Sequence, residues 1–329
     1  MTRETDRRTF IKGSLLTPAA VALSLYASHG EASAEEAEKA APAAAPVPAD
    51  VLPQGKIGDL QISRMLLGGN LLTHYTHSRD LQYVYNLCAH YNTDEKIIET
   101  LALAEQNGIN TLVVHTVPSV LSVLKKYRDE MGGKMQWIIC PTADIEPGLE
   151  KYTQQVRELA DNGTDAIYLW GVHADRLIAE GKIDLIAGAV EAAKLQGVPS
   201  GVGGHDLKVV VECEKNNVGA DFYIKTFHHH NYPSAPKPDQ LKGPNSEVPG
   251  YWCRDPQGTI DFMKTVEKPW IAFKIMAAGA IPPKDAFQYV FENGADHILV
   301  GMFDFEIADD VGIAREALAN VKRERPWRS

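Results

Sequence analysis

The chain has 329 residues and a net charge of −10. With no basic run beyond its first residues, this modestly acidic balance argues against nucleic acid or an anionic membrane surface as a partner. Its four cysteines (Cys88, Cys140, Cys213 and Cys253) are scattered without a C-x-x-C pair, so their spacing predicts no disulfide framework.

The first 34 residues read as an export signal. Arg7-Arg8-Thr9-Phe10-Ile11-Lys12 is a twin-arginine pair with Phe and Lys behind it, an apolar run follows from Gly13 to Ala27, and Ala32-Ser33-Ala34 is a small-residue exit. That run contains Pro18 and falls short of the roughly 20 residues that span a bilayer. The pattern resembles a bacterial Tat signal, which implies the Tat translocase as a partner during export and a periplasmic or extracytoplasmic destination. Residues 35–54 are mostly Ala, Glu, Lys and Pro, a linker composition. The expected body is residues 55–329, a length that suits a single α/β barrel.

Within that body short apolar runs alternate with amphipathic stretches. Strands are expected at 62–67, 110–115, 135–140 and 165–172, the fourth ending at His173. Four more are expected at 199–204, 222–227, 270–276 and 297–301. Helices follow them, among them 93–106 with Thr93 as N-cap and Gly108 as its stop. The stretch between the first strand and that helix reads as an insertion-like loop carrying His74, His77 and His90. Eight strand–helix units with short turns predict a closed (β/α)8 TIM barrel.

Barrels of this kind carry their chemistry where strands empty into loops at the C-terminal face. At that face the expected strand ends place His115, His173, His205 and the run His228-His229-His230, with Lys274 inside the seventh strand and Asp304 after the eighth. Imidazoles there suit a divalent metal or proton transfer. The metal set is His115, His205, His229 and Asp304, with Asp144, Asp206 and Asp255 as further oxygen donors or orienters of imidazoles; a metal-free polar pocket is the alternative. His173, His228 and His230 are the acid–base candidates, and Lys274 is the group to stabilise developing negative charge. Gly279 and Gly301 lie in turns of the kind that hold phosphate on backbone N–H groups. Aromatic residues near the same face, among them Trp170, Tyr251 and Trp252, suit a small sugar-like substrate.

Several short motifs are similar to the aldo/keto reductase superfamily, in order, over Gly55 to Leu318. They are Gly58-Asp59-Leu60 through Leu67-Gly68-Gly69, Gly108-Ile109-Asn110-Thr111, Ile167-Tyr168-Leu169 with His173, Gly201 to His205, and Gly301-Met302 with Glu306. The resemblance implies a barrel that binds NAD(P) and transfers hydride with an Asp, a Tyr, a Lys and a His. The chain departs from that set: Val113 or Val114 stands at the Asp position, no Tyr-Gly follows, and strand three ends in Cys140-Pro141. Only His173 matches. The acidic residues Asp304, Glu306, Asp309 and Asp310 stand where the family often binds the 2′-phosphate of the cofactor.

The expected function is therefore acid–base chemistry of lyase or isomerase type on a carbohydrate-like carbonyl or polyol, with a divalent metal assisting. The alternatives are an NAD(P)-dependent oxidoreductase with a different proton donor, and a periplasmic binding protein without catalysis. Oligomeric state is left open.

Overall fold

The computed structural model describes residues 51–78, 81–146, 148–242 and 253–329. All of these belong to one compact unit, Val47–Ser329. The export signal, most of the linker, and the aromatic pair Tyr251-Trp252 lie outside the described residues.

Two short strands, β1 (Gln54–Ile57) and β2 (Leu60–Ser63), form an antiparallel hairpin. Its two-residue turn needs Gly58, whose φ of +57° is costly for residues with a Cβ. The hairpin corrects the expected first strand, which ran unbroken from 62 to 67. Arg64 alone separates β2 from β3 (Met65–Gly68), the first barrel strand.

The other barrel strands are β4 (Thr111–His115), β5 (Gln136–Cys140), β6 (Ala166–Leu169), β7 (Ser200–Gly204), β8 (Phe222–Thr226), β9 (Trp270–Phe273) and β10 (His297–Val300). They pair in parallel in chain order, and β10 pairs with β3 to close the barrel. The expected (β/α)8 architecture is the one observed.

Period-two alternation divides each strand into an inner and an outer face. Leu66, Val113, Ile138, Ala166, Phe222, Ile224 and Ile271 form the inner core, and Ile57 and Ile62 join it, so the hairpin plugs the N-terminal end. The opposite face (Leu67, Leu112, Val114, Ile139, Tyr223, Phe227 and Trp270) packs under the helices. Three of the five residues of β7 are glycine because neighbours crowd the strand. A Cβ at Gly201 would lie 2.5 Å from the Phe222 ring, and one at Gly203 2.9 Å from the Gly171 backbone nitrogen.

The helix layer begins with α1 (Tyr83–Tyr91), a helix where a loop was expected, and α2 (Asp94–Gln106). The Thr93 side chain accepts a hydrogen bond from the Lys96 backbone N–H, as an N-cap should. After β4 and β5 come α3 (Pro118–Met131) and α4 (Glu150–Asp161), and after β6 come α5 (Gly171–Ala179) and α6 (Ile183–Lys194). Then α7 (Leu207–Lys215), α8 (Pro256–Met263), α9 (Pro283–Glu292) and α10 (Ile307–Asn320) follow β7, β8, β9 and β10.

Two expected strand ends are corrected. β6 stops at Leu169, and His173 lies in the first turn of α5. β9 stops at Phe273, because Lys274 takes a left-handed φ of +56° that no strand accommodates.

A buried charge cluster ties the C-terminal tail to the barrel's lower end. Asp296, fully buried, accepts hydrogen bonds from Arg325 at 2.6 Å, from Arg323 at 3.3 Å and from the backbone N–H of Trp270 at 2.9 Å. The Trp327 ring is flanked by the guanidinium groups of Arg64 and Arg323, 4.1 and 3.6 Å from its centroid. Removing the charge at the centre leaves buried guanidinium groups uncompensated, the costly half of a broken buried pair. Asp296→Asn should lower unfolding free energy by about 3–5 kcal/mol, read as a fall in the urea midpoint; an unchanged midpoint would show that the cluster is not structural.

Candidate active site at the barrel mouth

At the C-terminal mouth, alternation turns His115, Cys140, Tyr168, Gly203, Thr226 and Phe273 inward. The best-organised titratable pair there is His205 with Asp175. His205 follows β7 directly, and its Nδ1–H donates to Asp175 Oδ2 at 2.6 Å. The same carboxylate accepts from the backbone N–H of His205 (3.1 Å) and of Asp206 (3.0 Å), so it is fixed by the chain it orients. The His205 ring lies 5.4 Å from that of Phe273, two strands away, and therefore leans over the mouth above β8. An imidazole with Nδ1 held by a carboxylate presents Nε2 as its working nitrogen, the arrangement used for general acid–base catalysis.

The orienting acid is Asp175 and not one of those expected. Asp206 and Asp255 serve as N-caps of α7 and α8, and Asp144 lies exposed 3.9 Å from Lys151. Sequence offers no sign of this, since an Asp in a helix is by default a solvated side chain.

Tyr168 and Cys140 form a second pair on adjacent strands. Their side chains hydrogen bond, and burial, ahead of that bond, keeps the phenol protonated far above its usual range. The Cys140 thiol is pushed up to about 12, chiefly by burial, so it is an inert apolar group with a weak donor. All four cysteines are buried and free.

The expected metal ligands do not converge. His115, lowered in pKa by burial, packs edge-on against Tyr75. The His229 Nε2–H faces Asp285 of α9 at 3.2 Å, and its ring packs on Tyr289, on the helix side of the sheet. Asp304 accepts from the Tyr91 hydroxyl at 2.7 Å and from Lys96 at 3.0 Å. Partial burial raises the Asp304 pKa, but these two partners together outweigh it and hold the carboxyl below its ordinary range. Among the described residues no three His, Cys, Asp or Glu side chains are placed to hold a metal ion. The metal expectation is corrected on that geometry.

Of the acid–base candidates, His173 packs edge-on to Trp170, and burial, then Arg176, lowers its pKa. The His230 Nε2–H donates to the Cys253 carbonyl at 2.5 Å. His228 is fully buried; its Nδ1 lies 3.0 Å from the Lys274 carbonyl, and burial, then the neighbouring His230, takes its pKa down to about 3. The half-buried Lys274 holds its ammonium 5.9 Å from the Phe273 ring centroid, at the same mouth as His205. Gly301 directly follows β10, and Gly279 lies in the turn after β9, where Ala277, Ala278 and Gly279 all take left-handed φ values. A Cβ at Gly301 would meet only Leu71, at 3.8 Å, and one at Gly279 would meet nothing within 4 Å, so both leave open space beside exposed backbone.

No protein-family model and no curated protein sequence matches this chain. Solved structures do. A protein from Pseudomonas aeruginosa assigned as an aldo-keto reductase aligns over 82% of this chain and 97% of its own, with a TM-score of 0.55 and 18% identity. A holo-form aldo-keto reductase from Bacillus halodurans aligns over 83% and 92%, with a TM-score of 0.52 and 12% identity. A variant of the protein Gox0644 in complex with NADPH aligns over 83% and 90%, with a TM-score of 0.53 and 10% identity. At these identities the likeness establishes the fold alone, a (β/α)8 barrel that spans nearly the whole of each of these proteins.

His228 and His297 make the fold sensitive to acid. Each is held to a pKa of about 3, with burial as the main cause, against roughly 6.5 for an exposed imidazole. Between those values the unfolded chain binds more protons than the folded one, so stability falls as pH drops through that window. Urea midpoints measured from pH 7.5 to 4 should decline steadily below pH 6.5, and less steeply in His228→Gln. A flat profile would show that the two imidazoles are not held neutral.

Proposed function

We propose that this chain is an exported oxidoreductase of aldo/keto reductase type that interconverts a hydroxyl and a carbonyl group on a small molecule. The pair Asp175–His205 stands in for the missing proton-transfer residues of that family. The observation that carries the reading is this carboxylate-held imidazole leaning over the mouth of a reductase-type barrel. The reductase neighbours, one with NADPH, favour redox chemistry over the lyase or isomerase reading.

The residues present fit a nicotinamide cofactor. Exposed backbone at Gly279 and Gly301, beyond the ends of adjacent strands, leaves room for a dinucleotide, and Lys274 lies in the same β9–α9 connection as Gly279. Asp304, which from sequence alone would repel phosphate, is neutralised by Lys96. When bound, the cofactor supplies or takes the hydride.

The chain's own part is to move the proton. In the reducing direction the carbonyl oxygen gains a proton from His205 Nε2 as charge develops on it, and in the oxidising direction the hydroxyl proton passes to the same nitrogen. Asp175 stabilises the imidazolium that forms between these events. Tyr168, kept protonated by burial, is a donor to the substrate oxygen. Phe273 floors the site.

Two experiments test this reading. NADPH should quench the fluorescence of the purified body saturably, and His205→Gln should lower kcat on an aldehyde and ketone panel by about 10²–10⁴-fold with cofactor affinity unchanged. Failure of NADPH to bind, or full activity in His205→Gln, would overturn it. Export rests on the twin arginines: Arg7→Lys with Arg8→Lys should trap the full-length chain in the cytoplasm, and normal export of that variant would remove the Tat assignment.

A further inference from the structure

Lys225 is the one lysine among the described residues that is fully buried, and it takes no part in the proton transfer described above. A buried ammonium is costly, and it normally meets a carboxylate directly. Here it donates at 2.7 Å to a neutral acceptor, the Thr226 carbonyl at the top of β8. Alternation turns Lys225 outward with Tyr223 and Phe227, so its stem runs under the helix layer. In register it pairs with Gly204, the residue before His205.

The groups around that ammonium are those that support the His205 ring. Asp175 of α5 accepts from His205 Nδ1–H and from the backbone N–H groups of His205 and Asp206. Asp206 caps α7, Asp255 caps α8, and the partly exposed Arg254 lies 3.6 Å from Asp206. Burial, the main influence on Lys225, lowers its pKa. The Cys253 thiol and then Asp175, Asp206 and Asp255 act in the other direction, so these carboxylates lie within its electrostatic reach. His228 also feels Lys225 but is itself neutral. On the mouth side the nearest cation is Lys274, beyond the Phe273 ring.

Carboxylates gathered behind one imidazole create a difficulty for a proton-transfer residue. Each favours the imidazolium, and a ring held permanently protonated cannot accept a proton. With no carboxylate at all, the ring would lose its orientation and the support for its charged form. A fixed positive charge in the helix layer resolves this. It offsets part of the carboxylate field and leaves the Asp175 hydrogen bond in place, and burial spares it screening by salt.

We propose that Lys225 is a positioning residue for proton transfer, a buried counter-charge that, with Arg254 outside it, offsets the carboxylates around His205 and keeps the imidazole able to release its proton. Lys225 acts through Asp175 and His205 and touches neither substrate nor cofactor. Its use in turnover rests on the oxidoreductase reading above, whereas the charge coupling is measurable on the unliganded protein.

The test is an NMR titration of the His205 ring in the purified body, without cofactor or substrate, its resonance identified by its loss in His205→Gln. Lys225→Met fills similar space without the charge and should raise the His205 titration midpoint by about 1 pH unit. Lys225→Arg restores the charge and should return the midpoint toward the parent value. Arg254→Gln should raise it by less, because water screens that guanidinium. In turnover, the acid limb of kcat/KM for alcohol oxidation should move to higher pH by the same amount as the NMR midpoint. A residue serving only the fold would lower the urea midpoint in Lys225→Met and leave the His205 titration where it was. That outcome, or a midpoint that falls, would overturn the proposal. If Lys225→Met does not fold, Arg254→Gln decides by the same criterion. A raised NMR midpoint in a protein that turns over no aldehyde, ketone or alcohol would spare the charge coupling and sink the redox reading. An unmoved midpoint in an active enzyme would do the opposite.

Discussion

Everything in this molecule depends on closure of the sheet between β10 and β3. A parallel sheet with an open edge would leave a row of unpaired backbone groups, and closure removes that edge. Here the join is made by Ile298, Leu299 and Val300 against Met65, Leu66 and Leu67. It is tight enough at the top that a Cβ at Gly68 would lie 2.9 Å from the Gly301 nitrogen. Closure also turns eight separate strand ends into one ring, so residues far apart in sequence face a common mouth.

The two ends of the barrel solve opposite problems. The lower end is sealed by apolar residues of the β1–β2 hairpin and by the buried Asp296 cluster, in which guanidinium groups and backbone amides satisfy the carboxylate. The upper end is left polar and partly unsatisfied. Buried polar atoms without a partner, such as Thr226 Oγ1, reduce stability, which is tolerable where the rest of the barrel is well packed, and unmet hydrogen-bonding capacity of this kind is what a ligand site needs.

The rim histidines show how little a residue's presence at a strand end says about its task. Six imidazoles gather there, yet His229 turns to the helix layer, His230 is tied to a backbone carbonyl, and His228 is held neutral by burial. His205 has a carboxylate held behind it at the mouth by backbone N–H groups, whereas the carboxylate beside His229 lies on the helix side. The metal expectation failed for the same reason. It counted histidines at the rim, whereas a metal requires their lone pairs to meet at a point, and in the His228–His230 run the three rings turn to three different partners, the Lys274 carbonyl, Asp285 and the Cys253 carbonyl.

Sequence by itself determined the eightfold alternation of strands and helices and the cap at Thr93. These follow from local periodicity and from short-range hydrogen bonds, both written in neighbouring residues. It missed the hairpin break at Arg64 and helix α1, where most side chains are exposed and no apolar stripe marks the turn. Only the tertiary structure decided which imidazole is oriented, which acids are spent on caps, and which polar atoms are left facing the mouth. Those outcomes depend on contacts such as Asp175 with His205 and Lys274 with His228, which span 30 and 46 residues. Such pairs become neighbours only when the barrel closes, and no local pattern encodes them.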